Sequence, residues 1–141
     1  MVIDLKLDYS CARDILLALE ELISYTQEGT LISSSHVTLP TLCQHQLLSD
    51  YKKEDVVYAS EKLFEAGFIK ARIVEASMGI ADIFFFDITY TGHQYLDSVR
   101  HPQMWETIKQ EFTEKPIEMT FNLIQKVALH RAAQILGFPL E

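Results

Sequence analysis

Near the start of the chain, apolar residues recur with the spacing of one face of an α-helix. They follow an i, i+1, i+4, i+7, i+8 pattern and comprise Ile15, Leu16, Leu19, Leu22 and Ile23. Asp8 precedes this run, and its carboxylate can accept a hydrogen bond from a free amide group of the first helical turn. The pattern therefore predicts a helix from about Asp8 to Tyr25.

A mixed segment and two further helical patterns follow. The stretch from Leu31 to Leu42 combines β-branched residues, serines and a proline, which favours an extended connection holding a short strand or turn. A short helix is expected from Thr41 through Leu48. A longer helix is predicted from about Lys52 to Ala66, and Gly67 is expected to follow it in the left-handed conformation. The buried face of this longer helix is predicted to comprise Val56, Ala59 or Ser60, and Leu63.

Directly after Gly67 the pattern changes from helical to extended. Apolar residues that favour strands occur in two groups, first Phe68, Ile69, Ile73 and Val74, and then Ile83, Phe84, Phe85, Phe86, Ile88 and Tyr90. The residues between the two groups, 75–82, can form a turn. The sequence therefore predicts an antiparallel β-hairpin.

Three helical patterns complete the chain. Thr91 is expected to cap the first helix, and a break at His101–Pro102 separates it from the second. Pro116 is predicted to open the last helix in its first turn, and Gly137 and Pro139 are predicted to end it. The apolar stripes of the three helices comprise Tyr95, Leu96 and Val99, then Trp105, Ile108 and Phe112, and finally Met119, Leu123, Val127 and Ile135 or Leu136.

The order of these elements indicates the fold. A helix, a short connection, two further helices of which the second ends in glycine, and a β-hairpin are the order of a winged helix-turn-helix domain. We therefore expect a mainly helical α+β fold with a two-stranded wing and a C-terminal helical extension. The winged-helix domain is expected over residues 1–100. Residues 101–141 are expected to form helices that pack on this domain or build a dimer interface.

Length and composition are typical of one soluble domain. The 141 residues are 48% hydrophobic and 23% charged, which is enough apolar content to form a core. Asp4 and Asp8 do not fit an export signal, and the apolar runs are shorter than the roughly 20 residues that span a bilayer. Cys11 and Cys43 favour small buried side chains over a disulfide. A cytoplasmic protein without membrane contact is expected.

Four stretches of the chain carry a specific pattern of residues. They are Asp8–Glu20, Glu54–Tyr58, Leu63–Ile69 and Ile88–Arg100, the last of which is followed by Trp105. These stretches resemble the opening helix, the third helix, the turn after it and the exit from the wing in an uncharacterised family of small phage- and prophage-encoded winged-helix proteins. The chain departs from that family pattern at Ala59, where the family includes a histidine. The resemblance implies a winged helix and a cytoplasmic, mobile-element setting, and it implies no particular activity.

The third helix and the hairpin offer candidate contacts to nucleic acid. The side chains that could reach phosphates or base edges are Lys52, Lys53, Tyr58, Lys62, Lys70 and Arg72. Three carboxylates lie on the same helix, however, so that the segment 52–62 is formally neutral. The wing tip, residues 75–82, contains no Lys or Arg. Because counterion release by basic residues supplies most non-specific DNA affinity, DNA binding by a transcription regulator is the alternative interpretation.

Acidic residues are concentrated in the first half of the chain. The whole chain has 12 basic and 20 acidic residues and a net charge of −8. Residues 1–66 contribute −6 of this charge, with 5 basic and 11 acidic residues. Such a surface repels polyanions and can dock on a basic protein partner. We therefore expect a non-catalytic protein that binds another protein through an acidic surface.

Residue types that bind metals or catalyse reactions do not occur in a recognised arrangement. The candidate metal ligands are Cys11, His36, Cys43 and His45. Their spacing differs from that of the paired ligands that hold Zn²⁺. His93 and Asp97 could form an acid/base pair, and their spacing on a helix suits a surface hydrogen bond equally well. No catalytic residue, cofactor or metal site is expected.

The C-terminal apolar stripes allow either a core or an interface. Their main members are Trp105, Ile108, Phe112, Leu123 and Val127. These side chains could pack against the winged helix, or they could be buried across a two-fold axis, as in dimeric winged-helix regulators of the MarR type. The second arrangement predicts a homodimer.

Overall fold

The computed structural model describes residues 6–25 and 36–137. Within these residues, the fold is a mainly helical α+β fold, as the sequence predicts. The helices are α1 (Tyr9–Tyr25), α2 (Leu39–Cys43), α3 (Lys53–Glu65), α4 (Tyr90–Val99), α5 (Pro102–Glu114) and α6 (Phe121–Leu136), and the strands are β1 (Val37–Thr38), β2 (Ile69–Ala76) and β3 (Gly79–Ile88). The chain divides into two compact units, Met1–His93 and Gln94–Glu141. Over the described ranges, no helix has the length and apolar content that crossing a membrane requires.

Helix α1 confirms the predicted cap and most of the predicted buried face. The carboxylate of Asp8 accepts a hydrogen bond from the amide of Cys11 at 3.0 Å, which satisfies a free donor of the first turn. Ile15, Leu16 and Leu19 are fully buried, and the other two residues of the predicted face are half-buried. Helix α1 therefore contributes an apolar face to the core of the first unit.

Two short helical segments occupy the region where one helix over 41–48 was expected. Helix α2 begins before Thr41 because the hydroxyl of Thr38 accepts a hydrogen bond from the Thr41 amide at 3.3 Å and a proline stands in the first turn. A separate 3₁₀ helix follows at Gln46–Leu48, and Nδ1 of His45 caps it. The two caps divide the expected helix into two.

Helix α3 and the glycine after it match the prediction. Its buried residues are Val56, Ala59, Ser60 and Leu63. Gly67 follows with a φ of 79°, a left-handed conformation that ends the helix. The core of the first unit lies between α1, α3 and the sheet, and its largest fully buried side chains include Phe85, Ile15, Leu16, Leu19, Leu42, Leu48, Leu63 and Ile83.

Strands β2 and β3 form the predicted antiparallel hairpin, and β1 pairs with the other edge of β3. The turn between β2 and β3 comprises only Ser77–Met78, so the predicted turn over 75–82 is too long. Gly79 allows the tight turn because its φ of 123° lies in a region that L side chains rarely adopt. Residues 31–35 of the expected connection lie outside the described residues, and β1 follows them.

The cap of α4 differs from the prediction. Thr89, and not Thr91, accepts the hydrogen bond from the amide of Gly92, at 3.1 Å. The carbonyl of Thr89 also accepts from the amide of His93 at 2.8 Å. Thr91 lies inside the first turn, where its hydroxyl donates to the carbonyl of Gly67 at 3.1 Å. The helix therefore starts earlier than predicted, directly where β3 ends.

Helix α5 confirms the break at His101–Pro102. Nδ1 of His101 accepts a hydrogen bond from the amide of Gln103 at 3.3 Å, and the proline occupies the first turn. Trp105 and Ile108 are buried. The third member of the predicted stripe, Phe112, is half-buried.

Helix α6 begins later than predicted. Pro116 does not open it, because residues 117–120 belong to no helix or strand and the hydroxyl of Thr120 caps the helix by accepting from the Leu123 amide at 3.0 Å. Gly137 ends the helix with a φ of 77°, as predicted. Pro139 lies outside the described residues.

The buried side of α6 differs from the prediction by one position. The buried residues are Ile124 and Ala128, one position after Leu123 and Val127, which are half-buried. Met119 lies before the helix and is also half-buried. Either Ile135 or Leu136 was expected on the buried face, and both are largely exposed, at 76% and 66%.

Candidate functional site

A groove of about 690 Å³ lies between α3 and the tip of the hairpin. Helix α3 contributes Glu54, Val57, Tyr58 and Glu61, which share one helix face because they follow the i, i+3, i+4, i+7 spacing. The remaining lining residues are Lys53 at the start of the helix and Glu75, Ala76, Gly79 and Ile80 on both sides of the hairpin turn. All of these residues belong to the first unit. We call this surface the α3–hairpin groove.

The α3–hairpin groove combines apolar surface with negative charge. Its apolar lining consists of Val57, Tyr58, Ala76 and Ile80. Three carboxylates, those of Glu54, Glu61 and Glu75, accompany a single ammonium group, that of Lys53. The lining therefore combines apolar surface with a net negative formal charge.

The register of the hairpin explains how its tip contributes to the groove. Glu75 pairs with Ile80, and Ala76 pairs with Gly79, directly before and after the turn. A register shift between Val74 and Glu75 marks an irregularity at this point, and such irregularities re-aim side chains at the end of a hairpin. A carboxylate and two apolar side chains thus line the groove together.

Lys62, one of the candidate DNA contacts, forms interactions within α3. Its Nζ donates to both carboxylate oxygens of Glu65, at 3.0 and 3.1 Å. The same Nζ lies 5.1 Å from the centroid of the Tyr58 ring, a distance at which a cation and an aromatic ring attract each other. The hydrogen bond to Glu65 raises the pKa of Lys62. Its positive charge therefore faces a carboxylate of the same helix.

The other predicted DNA contacts lie at two separate places. Lys52 and Lys53 are exposed at the start of α3, and Lys53 reaches the lining of the α3–hairpin groove. Lys70 and Arg72 are exposed on β2, where Lys70 stands opposite Asp87 in the register. A carboxylate therefore accompanies one of the two strand cations.

Sequence reasoning found some residues of the groove and missed others. Tyr58 and Lys53 were singled out as DNA contacts, and both line the groove. Val57, Ala76 and Ile80 were not assigned a role. The signal for Val57 was present, because this apolar residue falls between the buried positions of α3 and shares a face with Tyr58. Ile80 falls within the turn predicted over residues 75–82, so the sequence pattern does not place it in β3.

Hydrogen bonds at the base of the hairpin hold it against the end of α3. The hydroxyl of Thr89 donates to the carbonyl of Gly67 at 2.5 Å. The backbone amide of Thr89 donates to the carbonyl of Phe68 at 3.0 Å. Because β3 leads into Thr89 and α3 leads into Gly67, these bonds fix the two elements that line the groove.

The residues considered as metal ligands have other environments. Burial, followed by the charge of Asp8, raises the pKa of the Cys11 thiol to about 12. Nε2 of His45 lies 3.3 Å from a carboxylate oxygen of Glu21. The ring of His36 packs edge-on against Phe84, with 5.0 Å between the centroids. In the part of the chain that the structure describes, no group of three or more His, Cys, Asp or Glu side chains could hold a metal ion.

Two polar pairs outside the groove involve Tyr51 and Asp97, the second of which was considered as part of an acid/base pair. The hydroxyl of Tyr51 donates to a carboxylate oxygen of Asp14 at 2.8 Å, and burial together with this bond raises the pKa of Tyr51. The carboxylate of Asp97 accepts from Arg100 at 3.0 Å, so Asp97 has a partner other than the suggested His93.

A second groove, of about 450 Å³, lies between α5 and α6. Its lining comprises Glu111, Lys115, Leu123, Lys126, Val127, His130, Arg131 and Gln134. Glu111 contacts both Lys115 and Arg131, and these cations lower its pKa. Leu123 and Val127, which were predicted in a core or a dimer interface, are therefore half-buried residues at the floor of a basic groove.

Comparison with known proteins identifies relatives of the chain. The model of a family described as "Hypothetical protein (DUF2513)" matches residues 6–118, a range that includes the whole α3–hairpin groove. A protein of Haemophilus influenzae described as "Uncharacterized protein" is 28% identical over 87 residues, which cover 62% of this chain and 73% of that protein. No solved structure matches the chain.

Proposed function

The chain belongs to the DUF2513 family, and from this premise we propose that it is a non-catalytic winged-helix protein that binds a protein partner through the α3–hairpin groove. The partner segment is basic and amphipathic. The observation that carries the proposal is the lining of the groove, which combines three carboxylates with four apolar side chains. A phage or prophage origin and a cytoplasmic location belong to the same proposal and rest on the resemblance of the sequence motifs.

The element order supports the winged-helix part of the proposal. Helices α1, α2 and α3 precede the hairpin, and the short strand β1 joins the hairpin to give the sheet order β1–β3–β2. In such a domain α3 is the recognition helix and the β2–β3 hairpin is the wing. The α3–hairpin groove then lies on the surface that a DNA-binding relative turns toward DNA.

The chemistry of that surface favours a protein partner over DNA. A duplex brings closely spaced negative charges, and the carboxylates of Glu54, Glu61 and Glu75 would repel them. Lys62 is engaged with Glu65. A basic amphipathic helix, in contrast, could place apolar side chains on Val57 and its neighbours while its cations meet the carboxylates. Helix-in-groove recognition works through this combination of contacts.

DNA binding is the second candidate function. The observation that favours it is the exposure of Lys52 and Lys53 at the start of α3, where a recognition helix meets its target. Exposed Lys70 and Arg72 on β2 could add contacts to phosphates. On this alternative the protein is a small transcription regulator, and its affinity must fall steeply as salt rises.

Fluorescence anisotropy with two probes separates the candidates. The first probe is a labelled helical peptide with leucines on one face and lysines on the other, and the second is a labelled mixed-sequence duplex. We expect the peptide to bind and the duplex not to bind, at low and at near-physiological salt. A scrambled peptide of the same composition controls for attraction by charge alone.

Substitutions in the groove and at the start of α3 test which surface binds the peptide or the duplex. The double variant Glu61→Lys/Glu75→Lys is expected to weaken peptide binding at least tenfold, and Asp50→Lys, an exposed charge change outside the groove, is expected to leave it unchanged. Duplex binding in the micromolar range that disappears on Lys52→Glu or Lys53→Glu would overturn the protein-binding proposal in favour of DNA. Equal binding of the amphipathic and the scrambled peptide would also contradict it.

A further inference from the structure

Helix α6 has apolar residues on a face that its own unit does not bury. Its buried side is marked by Ile124 and Ala128. On a different side, Leu129, Ala133 and Leu136 follow the i, i+4, i+7 spacing and form one stripe. Leu129 is 71% exposed and Leu136 is 66% exposed. We call these three residues the outer stripe of α6.

Helix α6 carries positive charge and no carboxylate of its own. Lys126, three positions before Leu129, is exposed on the same side of the helix, and Arg131 pairs with Glu111 of α5. Residues 119–140 contain Lys126 and Arg131 and no Asp or Glu. This segment contrasts with residues 1–66, which carry a net charge of −6. Helix α6 is therefore a basic helix with an exposed apolar stripe.

These properties match the ligand that the α3–hairpin groove requires. The lining of the groove combines the apolar side chains of Val57, Tyr58, Ala76 and Ile80 with the carboxylates of Glu54, Glu61 and Glu75. A stripe of anchors at i, i+4 and i+7 is the pattern by which an amphipathic helix enters such a groove. The charge and the apolar surface of α6 thus complement those of the α3–hairpin groove, and both belong to the same chain.

We propose that helix α6 of one copy of this chain docks, through its outer stripe, in the α3–hairpin groove of a second copy. The inference rests on the proposed function, because it names the partner of the same groove. The contact is heterologous, so two copies can exchange their α6 helices in a closed pair or associate further in an open chain. A single helix in a groove is a small interface, and such contacts are typical of transient complexes.

Sedimentation velocity of the full-length chain over a series of concentrations tests this contact. The helix variant is Leu129→Glu/Leu136→Glu, and the groove variant is Glu61→Lys/Glu75→Lys. These substitutions lie outside the fully buried core, and circular dichroism with unfolding midpoints checks that each variant folds. Matched controls are Gln134→Glu, which adds a charge to α6 away from the outer stripe, and Asp50→Lys.

The wild-type chain and both controls are expected to associate as concentration rises, and each double variant is expected to stay monomeric. An equimolar mixture of the two variants is expected to form a heterodimer, because it contains one intact helix and one intact groove. A groove variant that associates as the wild type does would show that the groove is not the binding surface and would overturn the proposal. A wild-type chain that stays monomeric at all concentrations would overturn it as well.

The experiments distinguish failure of the proposed protein-binding function from failure of this inference about α6. The helix variant keeps an intact groove, so the leucine–lysine peptide can be titrated against it as a monomer. Peptide binding without self-association of the wild type would leave the protein-binding groove in place and refute docking of α6. Self-association without peptide binding would refute the general preference for basic amphipathic helices.

Discussion

The hydroxyl of Thr89 donates a hydrogen bond to the carbonyl oxygen of Gly67 at 2.5 Å, and thereby links the end of strand β3 to the end of α3. The same hydroxyl accepts from the amide of Gly92 at 3.1 Å and so caps α4. One side chain therefore fixes the base of the hairpin and the start of the next helix. The shape of the α3–hairpin groove depends on this link, because α3 and the hairpin are its two walls.

The first prediction concerns Gly92, whose replacement by alanine should be strongly destabilising. A Cβ atom there would lie 2.0 Å from the carbonyl oxygen of Phe68 and 2.8 Å from Cγ2 of Ile88. Backbone cannot retreat as a flexible side chain can, so we expect Gly92→Ala to lower the free energy of unfolding by about 3 kcal/mol. Urea unfolding measures the loss. The control Gln94→Ala, at an exposed position of the same helix, should change stability by no more than about 0.5 kcal/mol.

Whether Gly92→Ala lowers the free energy of unfolding tests how closely α4 packs on Phe68. In an open helical position, alanine is more favourable than glycine by about 1 kcal/mol. A Gly92→Ala chain as stable as the wild type would therefore show that α4 does not pack closely on Phe68.

The second prediction distinguishes the two threonines at the start of α4. Thr89→Val removes the cap to Gly92 and the bond to Gly67, and we expect it to lower the free energy of unfolding by about 1–2 kcal/mol. Thr91→Val removes exposed hydroxyl contacts to the Gly67 carbonyl and the Thr89 hydroxyl, and its cost should be about 0.5 kcal/mol. Thermal or urea unfolding of both variants provides the comparison. A larger loss for Thr91→Val would instead support the cap that the sequence pattern suggests.

These two threonines illustrate how far local sequence determines the fold. The helical periodicity around Ile15, the stop at Gly67 and the strand pattern of the hairpin depend on nearby residues, and each prediction was confirmed. The cap of α4 could not be assigned in this way. Thr89 and Thr91 are both good capping residues, and the choice between them is made by the carbonyls of Gly67 and Phe68, which are distant in sequence.

The start of α6 has a similar explanation. Pro116 suits a first helical turn, but proline also restricts the residue before it to an extended conformation, and Lys115 has a φ of −114° and a ψ of 139°. Thr120 then offers a side-chain cap that proline lacks. The buried side of the helix is marked by Ile124 and Ala128 in place of the predicted Leu123 and Val127. Boundaries that depend on two competing signals were therefore the least predictable.

The candidate site was only partly visible in the sequence. The net charge of −6 over residues 1–66 and the absence of Lys and Arg over residues 75–82 favoured the hypothesis of an acidic surface that binds a protein. The groove itself requires the hairpin tip to stand beside α3, and that placement is a tertiary property. Ile80, for example, lines the groove because β3 begins at Gly79 and the turn is short.

The third prediction is an alkaline loss of stability that originates at Cys11. Burial raises the pKa of this thiol from its ordinary value of 9.0 to about 12. The folded chain therefore retains a proton that the unfolded chain releases near pH 9.0, so that stability from this group is complete below that pH and declines progressively toward pH 12. The slope for one proton is about 1.4 kcal/mol per pH unit. Urea unfolding at intervals of pH measures it.

Two variants separate Cys11 from other groups that titrate at high pH. Cys11→Ala should make the decline between pH 9 and 10 shallower, whatever its effect on stability at neutral pH. Burial also raises the pKa of Tyr51 above its ordinary value of 10.0, so Tyr51→Phe should change the decline only above about pH 10. An unchanged slope between pH 9 and 10 in Cys11→Ala would mean that the thiol is not protected by the fold.

The last prediction tests the register of α6 independently of self-association. Ile124 is fully buried, whereas Leu129 is 71% exposed. Ile124→Ala should lower the free energy of unfolding by about 2–4 kcal/mol, because it removes buried methyl and methylene groups and leaves a cavity. Leu129→Ala should change stability by no more than about 0.5 kcal/mol. Both values should be measured by urea unfolding at a protein concentration where the chain is monomeric. A large loss at Leu129 under those conditions would mean that the outer stripe of α6 is already packed within one chain and is not open to a second copy.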